Sequence, residues 1–192
     1  VAGIDDPSVQ TSGGERLAAR AVVVPTESSA AAALLGQRAP PQPRACTCVY
    51  SAAPRAPITE PVLLRDGERS GLVNNAAVMS NVSPTYAPAG QSLIATTLIG
   101  TAAGPADQLV GVIRAQMTEW FGPQAGDWKL LRTHRIAYAQ QDQRPPALNP
   151  AVRAVRIKPG LYVSGDHREN GSINGAIAAG RRAAEACLAD PR

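Results

Sequence analysis

The chain has little aromatic surface: aromatics make up 4% of its 192 residues. A platform on which nucleic-acid bases stack needs several, interleaved with basic side chains. Here the basic residues are scattered arginines and the net charge is only +4, so nucleic acid is not an expected partner. No apolar run approaches the roughly 18 residues a membrane span requires. The opening "VAGIDDPSVQ" lacks the basic start and apolar stretch of a signal peptide. These absences lead us to expect a cytoplasmic protein, with loose attachment to a membrane surface left open. The chain also opens without methionine, directly on a strand-like stretch, which suggests a processed, truncated or mid-gene start.

Soft ligands are sparse too. Cys46, Cys48 and Cys187 give an odd count, and the histidines, His134 and His167, are far apart. Cys46 and Cys48 would share one face of a strand, but no second pair of ligands lies nearby. Free thiols in a reducing compartment are the expectation, with no metal site. No Ser/His/Asp set emerges either.

Hydrophobic residues at 44% and charged residues at 18% describe a globular chain, long enough for one large domain or parts of two. Residues 8 to 24 read as a hairpin, "SVQTS" turning at "GG" into "ERLAARAVVV", with Val22, Val23 and Val24 as a buried strand. "TESSAAAALLG" predicts a short helix capped by Thr26 or Ser28 and ended by Gly36. Proline-rich "QRAPPQPRA", 37 to 45, follows as a crossing between lobes. Strand-like segments start at 46, 61, 74 ("NNAAVMSNV") and 92, with turns at Asp66-Gly67 and 87 to 90. "GPADQLVGVIRAQMTEWFG" predicts an amphipathic helix, with Pro105 in its first turn, Asp107 near its positive end, and a stop at Gly122-Pro123. Its apolar stripe is Leu109, Val112, Ile113, Met117, Trp120 and Phe121. "DWKLLRTHRIAYA" predicts a strand, and a second proline-rich crossing covers 140 to 150. Asn81 opens a formal glycosylation sequon, but the proline after it argues against its use.

The richest stretch is "PGLYVSGDHRENGSINGAIAAGRRAAEACL", 159 to 188. "LYVSG" predicts a strand burying Leu161 and Val163, and Gly165 lets backbone approach another group closely. Asp166 then stands at the carboxyl end of that strand, where ligands bind in open α/β sheets. After the loop "HRENG", Ser172 caps a helix from Ile173 to about Leu188. The free amides of its first turn carry partial positive charge. Small residues at 175, 176, 179, 180, 183 and 184 let this helix lie close to a sheet or a flat ligand. Arg181 and Arg182 read as a solvated face. His167 is a candidate base, set against a solvent-facing loop position. His134 and Tyr138, in the preceding strand, are candidates for a cavity wall.

These residues resemble the C-terminal flavin-contacting motif of the FAD-dependent amine oxidase superfamily, which takes in monoamine oxidases, protoporphyrinogen oxidases and phytoene desaturase-like enzymes. The pattern is a strand ending in Gly-Asp, a loop, then Ser-x-x-Gly-Ala and a small-residue helix. "ERLAARAVVVPTESSAAAALLG" is similar to the strand and turn by which such enzymes re-enter the flavin domain.

The resemblance implies an α/β (α+β) fold: a partial Rossmann-like FAD-binding lobe from 1–36 and 151–192, and an antiparallel sheet-and-helix substrate lobe from 37–150. It implies FAD contacts at Gly165, Asp166, Gly171, Ser172, Ile173, Asn174, Gly175 and Ala176, with Asp166 on the ribityl or pyrophosphate portion. The amides around Ser172 to Ala176 would face the pyrimidine edge. With no cysteine in "SGDHREN", attachment of the flavin would be non-covalent.

The G-x-G-x-x-G fingerprint of dinucleotide binding is absent from the chain. The chain therefore resembles only the C-terminal part of these enzymes, and an N-terminal FAD-binding segment or a partner chain should supply the rest. The expected reaction is dehydrogenation of a C–C or C–N bond of a small, apolar substrate. One subunit of a split flavoenzyme, a non-catalytic fragment and a binding module are the alternatives.

Overall fold

The computed structural model describes residues 3–5, 8–37, 43–147 and 149–190. The chain divides into two units, one made of 1–43 with 140–192 and the other of 44–139. Most of the first proline-rich crossing, 38 to 42, lies outside the described residues.

Unit 1 begins with β1 (Gly3–Asp5), β2 (Ser8–Gln10) and β3 (Arg16–Ala18), an antiparallel sheet in that order. The hairpin expected over 8 to 24 is thus confined to β2 and β3. The valines form a separate strand, β4 (Val22–Val24), in another sheet. Only Val24 of the three is buried: alternation along β4 turns Val23 to the other face, where it is 42% exposed.

Helix α1 (Ser28–Leu34) is capped by Glu27, not by Thr26 or Ser28. The longer carboxylate reaches the amides of Ser29 and Ala30, each at 2.9 Å, and Ser28 is already inside the helix. Gly36 follows the helix in the left-handed region, at φ 62°.

Unit 2 is built on a five-stranded sheet. Its strands are β5 (Arg44–Ala53), β6 (Leu63–Arg65), β7 (Val73–Val78), β8 (Ser92–Ile99) and β9 (Lys129–Gln140), in the order β6-β7-β8-β5-β9. Gln140, the last residue of β9, falls in unit 1. The stretch from 74 to 82 is half strand and half helix, because pairing with β8 ends at Val78–Ile94. The chain then turns into α2 (Met79–Val82), where the Ser80 hydroxyl accepts from the Leu93 amide and the Asn81 amide donates to the Ile58 carbonyl.

Helix α3 (Ala106–Phe121) covers one face of this sheet. Gly122, at φ 79°, ends it. Leu109, Ile113 and Met117 are buried against Val49, Ile94 and Leu98, each burial contributing about 1.5–3 kcal/mol. Val112 is 49% exposed, so the apolar stripe is narrower than its sequence spacing suggested. Gln116 takes a place on the buried face instead. Its side chain accepts from the Val73 amide and donates to the Val73 carbonyl, which satisfies a polar group in the core.

The chain returns to unit 1 with β10 (Arg156–Lys158), β11 (Leu161–Val163) and α4 (Ile173–Ala189). β11 is antiparallel to β10 and parallel to β4, with Val163 opposite Val24. Leu161, Val163, Val24 and Ala31 form one cluster, and Tyr162, Val155 and Ala183 a second. The whole is an α/β fold.

Candidate flavin site

Strands β4 and β11 are parallel, so their carboxyl ends open at the same edge of the sheet. The Ser164 amide donates to the Val24 carbonyl, which extends that pairing one step further. Gly165 follows at φ 145°, and a Cβ there would stand 2.7 Å from the His167 ring and 3.1 Å from the Thr26 carbonyl. The glycine is required by a close approach of its own chain. Asp166 opens a single 3-10 turn, Asp166–Arg168. Its carboxylate is partly exposed and lies 3.9 Å from Nδ1 of His167.

His167 does not face solvent: it is 6% exposed. Neither ring nitrogen has a hydrogen-bond partner among the described residues, and the same holds for the buried hydroxyl of Thr26. Burial pushes the imidazole pKa down, and the Arg168 charge pushes the same way. The turn rule that marks "GDH" as a loop carries no information on how the turn folds back on itself, so the sequence missed this burial.

The rest of the loop is tied down within unit 1. The Gly171 amide donates to Oε1 of Gln143 at 3.1 Å, and its carbonyl accepts from the Gln140 side chain. A Cβ on Gly171 would stand 2.6 Å from both glutamine side-chain nitrogens. Arg182 is not a solvated residue. It pairs with Glu169 at 2.7 Å and donates to the carbonyls of Arg153 and Arg168. Arg181 beside it is exposed.

Ser172 caps α4 as its sequence position suggested, its hydroxyl accepting from the Gly175 amide at 2.9 Å. The Ala176 amide donates to the Ser172 carbonyl. That leaves the amides of Ile173 and Asn174 without an acceptor among the described residues. Both residues are exposed, Ile173 at 80%. Gly175 is buried against the Asn170 backbone. Ala179 and Ala183 supply the close packing, while nothing approaches Gly180 and Ala184 is exposed.

Gly165, Asp166 and the segment Gly171–Ala176 therefore belong to one strand–turn–helix unit. His134 and Tyr138 lie in unit 2, four residues apart on β9. His134 is exposed and meets the Tyr50 ring edge-on at 5.9 Å, and Tyr138 is half-buried. The three cysteines are free thiols, and no group of three metal-ligating side chains occurs among the described residues. Nor is any described helix long and apolar enough to cross a membrane.

Residues 1–188 match the sequence profile of flavin containing amine oxidoreductases, and the chain belongs to that family. No curated protein sequence matches it. Its fold is similar to cyclohexylamine oxidase from Brevibacterium oxydans IH-35A, at TM-score 0.66 and 17% identity over 96% of this chain and 46% of that one. An oxidoreductase from Methanosarcina mazei aligns at TM-score 0.58 and 16% identity, over 93% and 47%. Reduced UDP-galactopyranose mutase aligns at TM-score 0.67 and 11% identity, over 91% and 42%. The chain spans less than half the length of these solved proteins. The family's cofactor is a flavin.

Proposed function

We propose that this chain is the C-terminal part of an FAD-dependent oxidoreductase that dehydrogenates a C–C or C–N bond of a small substrate with an apolar body. The observation that carries this reading is the set of unanswered donors around the Gly165–Ala176 segment. The free amides of Ile173 and Asn174, both on exposed residues, suit a ligand rich in oxygen acceptors. Flavin has such acceptors along its pyrimidine edge, ribityl chain and phosphates, so the residues present fit the group.

Flavin, when bound, supplies a hydride acceptor. Everything else falls to the protein. The capped amino end of α4 presents partial positive charge and stabilises negative charge held against it. Asp166 accepts hydrogen bonds from ribityl hydroxyls. Gly165 and Gly171 keep the loop in register by excluding side chains. The lack of a cysteine between Ser164 and Asn170 favours a flavin held without a covalent bond. Unit 2 offers the substrate side, with His134 and Tyr138 on one strand.

The segment that completes the FAD site belongs either to the same polypeptide or to a partner chain. Two observations favour such a complement: the missing G-x-G-x-x-G, and β4 at the edge of its sheet among the described residues. The test is flavin occupancy of the protein purified as it occurs in cells. We expect a yellow protein that releases FAD on denaturation. Asp166→Asn should lower FAD affinity roughly tenfold or more, the loss of a charged hydrogen bond. A colourless protein that takes up no added FAD would leave the binding-module and non-catalytic-fragment readings.

A further inference from the structure

Unit 2 holds a second feature that the flavin reading does not use. A cavity of about 430 Å3 opens at one end of its sheet, lined by Arg65, Asp66, Arg69, Leu72, Asn74 and Ile99. The 66–72 loop above it is tied together through the Asp66 carboxylate. The Asp66 carboxylate accepts from the amides of Glu68, Arg69 and Gly71 at 3.1, 2.7 and 3.2 Å, and from the Gln116 side chain at 3.3 Å. Arg69 is kept at φ 57°, a conformation that costs a non-glycine residue energy. Gly71 leaves the space that the Gln116 amide fills.

The charge in the cavity is unbalanced. Asp66 spends its lone pairs on the loop, and neither Arg65 nor Arg69 has a carboxylate partner among the described residues. Glu68, in the same loop, does not line the cavity, so the lining itself sets two guanidiniums against one carboxylate and carries one positive charge, which suits a monoanion. Apolar surface lies beside it, with Leu72 54% and Ile99 78% exposed.

The sheet register extends the site. Arg65 is opposite Asn75, Asn75 opposite Thr97, and Thr97 opposite Cys48, so the four side chains form a polar row on the face away from α3. The next row on that face is Leu63, Ala77, Ala95 and Tyr50, ending at the Tyr50–His134 contact. Ala77 and Ala95 give this row a short apolar surface, with hydrogen-bonding groups along one side.

We propose that unit 2 recognises a substrate carrying a carboxylate on an aliphatic body, its anionic end held by Arg65 and Arg69. This rests on the reading of unit 2 as the substrate side of the flavoenzyme. The probes are hexanoate and hexanamide, equal in length and differing in charge, with binding to the full chain measured by calorimetry. Hexanoate should bind at least tenfold more tightly than hexanamide, and more weakly as salt is raised. Arg65→Gln and Arg69→Gln should each remove most of that preference, while Arg181→Gln, an exposed arginine of unit 1, should leave it intact.

Equal binding of acid and amide would overturn the proposal, as would a preference that survives both substitutions. Flavin occupancy, measured on the same samples, separates the two readings. Hexanoate binding by a protein that takes up no FAD leaves the anion site standing and the flavin assignment fallen. FAD uptake with no preference for the acid does the reverse.

Discussion

A Cβ on Gly175 would collide with the backbone carbonyl oxygen of Asn170 and stand 3.0 Å from the Asn170 amide nitrogen. Both obstructing atoms belong to the main chain of the loop, so neither can swing aside as a flexible side chain would. The smallest residue is needed here by the loop that precedes the helix.

Gly175→Ala should therefore destabilise unit 1 by about 1–3 kcal/mol, the usual cost of overpacking a tight contact. Gly180→Ala, five residues on, where an added Cβ would meet nothing within 4 Å, should be neutral or slightly stabilising, since alanine favours the helix. Urea denaturation of the two variants checks the contrast. Equal effects would mean that the loop yields.

Ser172→Ala removes the cap on the Gly175 amide and should cost about 1 kcal/mol. Ser172→Asp should recover most of that loss, because a carboxylate caps as well and suits the positive end of α4. If the flavin presents its negative edge to the same amides, the aspartate variant should bind FAD more weakly than the alanine variant despite its better fold. Thermal unfolding and FAD titration, run side by side, read the two effects separately.

His167 links stability to pH. Its folded pKa lies below the ordinary value of 6.5, first because of burial and then because of Arg168. Asp166 and Glu27 pull it the other way, and Arg153 pushes it down further. Above 6.5 both folded and unfolded chains hold a neutral ring, and the residue contributes no pH dependence. As pH falls below 6.5 the unfolded chain takes up the proton first, so stability is lost until the folded pKa is passed. His167→Gln should flatten that part of a stability–pH profile measured by urea denaturation. An unchanged slope would place the titration elsewhere.

Gln116 ties α3 to both backbone polar groups of Val73 and to the Asp66 loop. Gln116→Leu keeps the volume but strands a buried N–H and C=O, each costing about 1–3 kcal/mol. We expect a large loss of stability in unit 2, seen as a lower midpoint in thermal melts. Hydrogen exchange should rise first at the Val73 amide.

Much of this molecule was legible in its sequence because the signals were local. Ser172 followed by small residues marked a capped helix. The spacing of Leu109, Ile113 and Met117 marked a buried face, and Gly122 marked where it stops. What stayed hidden depends on contacts distant along the chain. Glu27 outcompetes two better-known capping residues because its reach matches two amides. His167 is buried by a turn that folds back under Thr26 and Gly165. Gln116 enters the core only because Val73, more than forty positions earlier, presents an unpaired edge to it. Arg182 looks like half of a charged surface pair until the Arg153 and Arg168 carbonyls are placed beside it.

The pairing of Val24 with Val163 has a consequence for how the molecule is made. All of unit 2 is synthesised between the two, as one continuous stretch whose partners are never far apart, so it can collapse early. Strand β4 must wait on the ribosome for β11, which emerges much later. During that interval its valines are a sticky edge open to wrong partners, and we expect this stretch to be where chaperones hold the nascent chain.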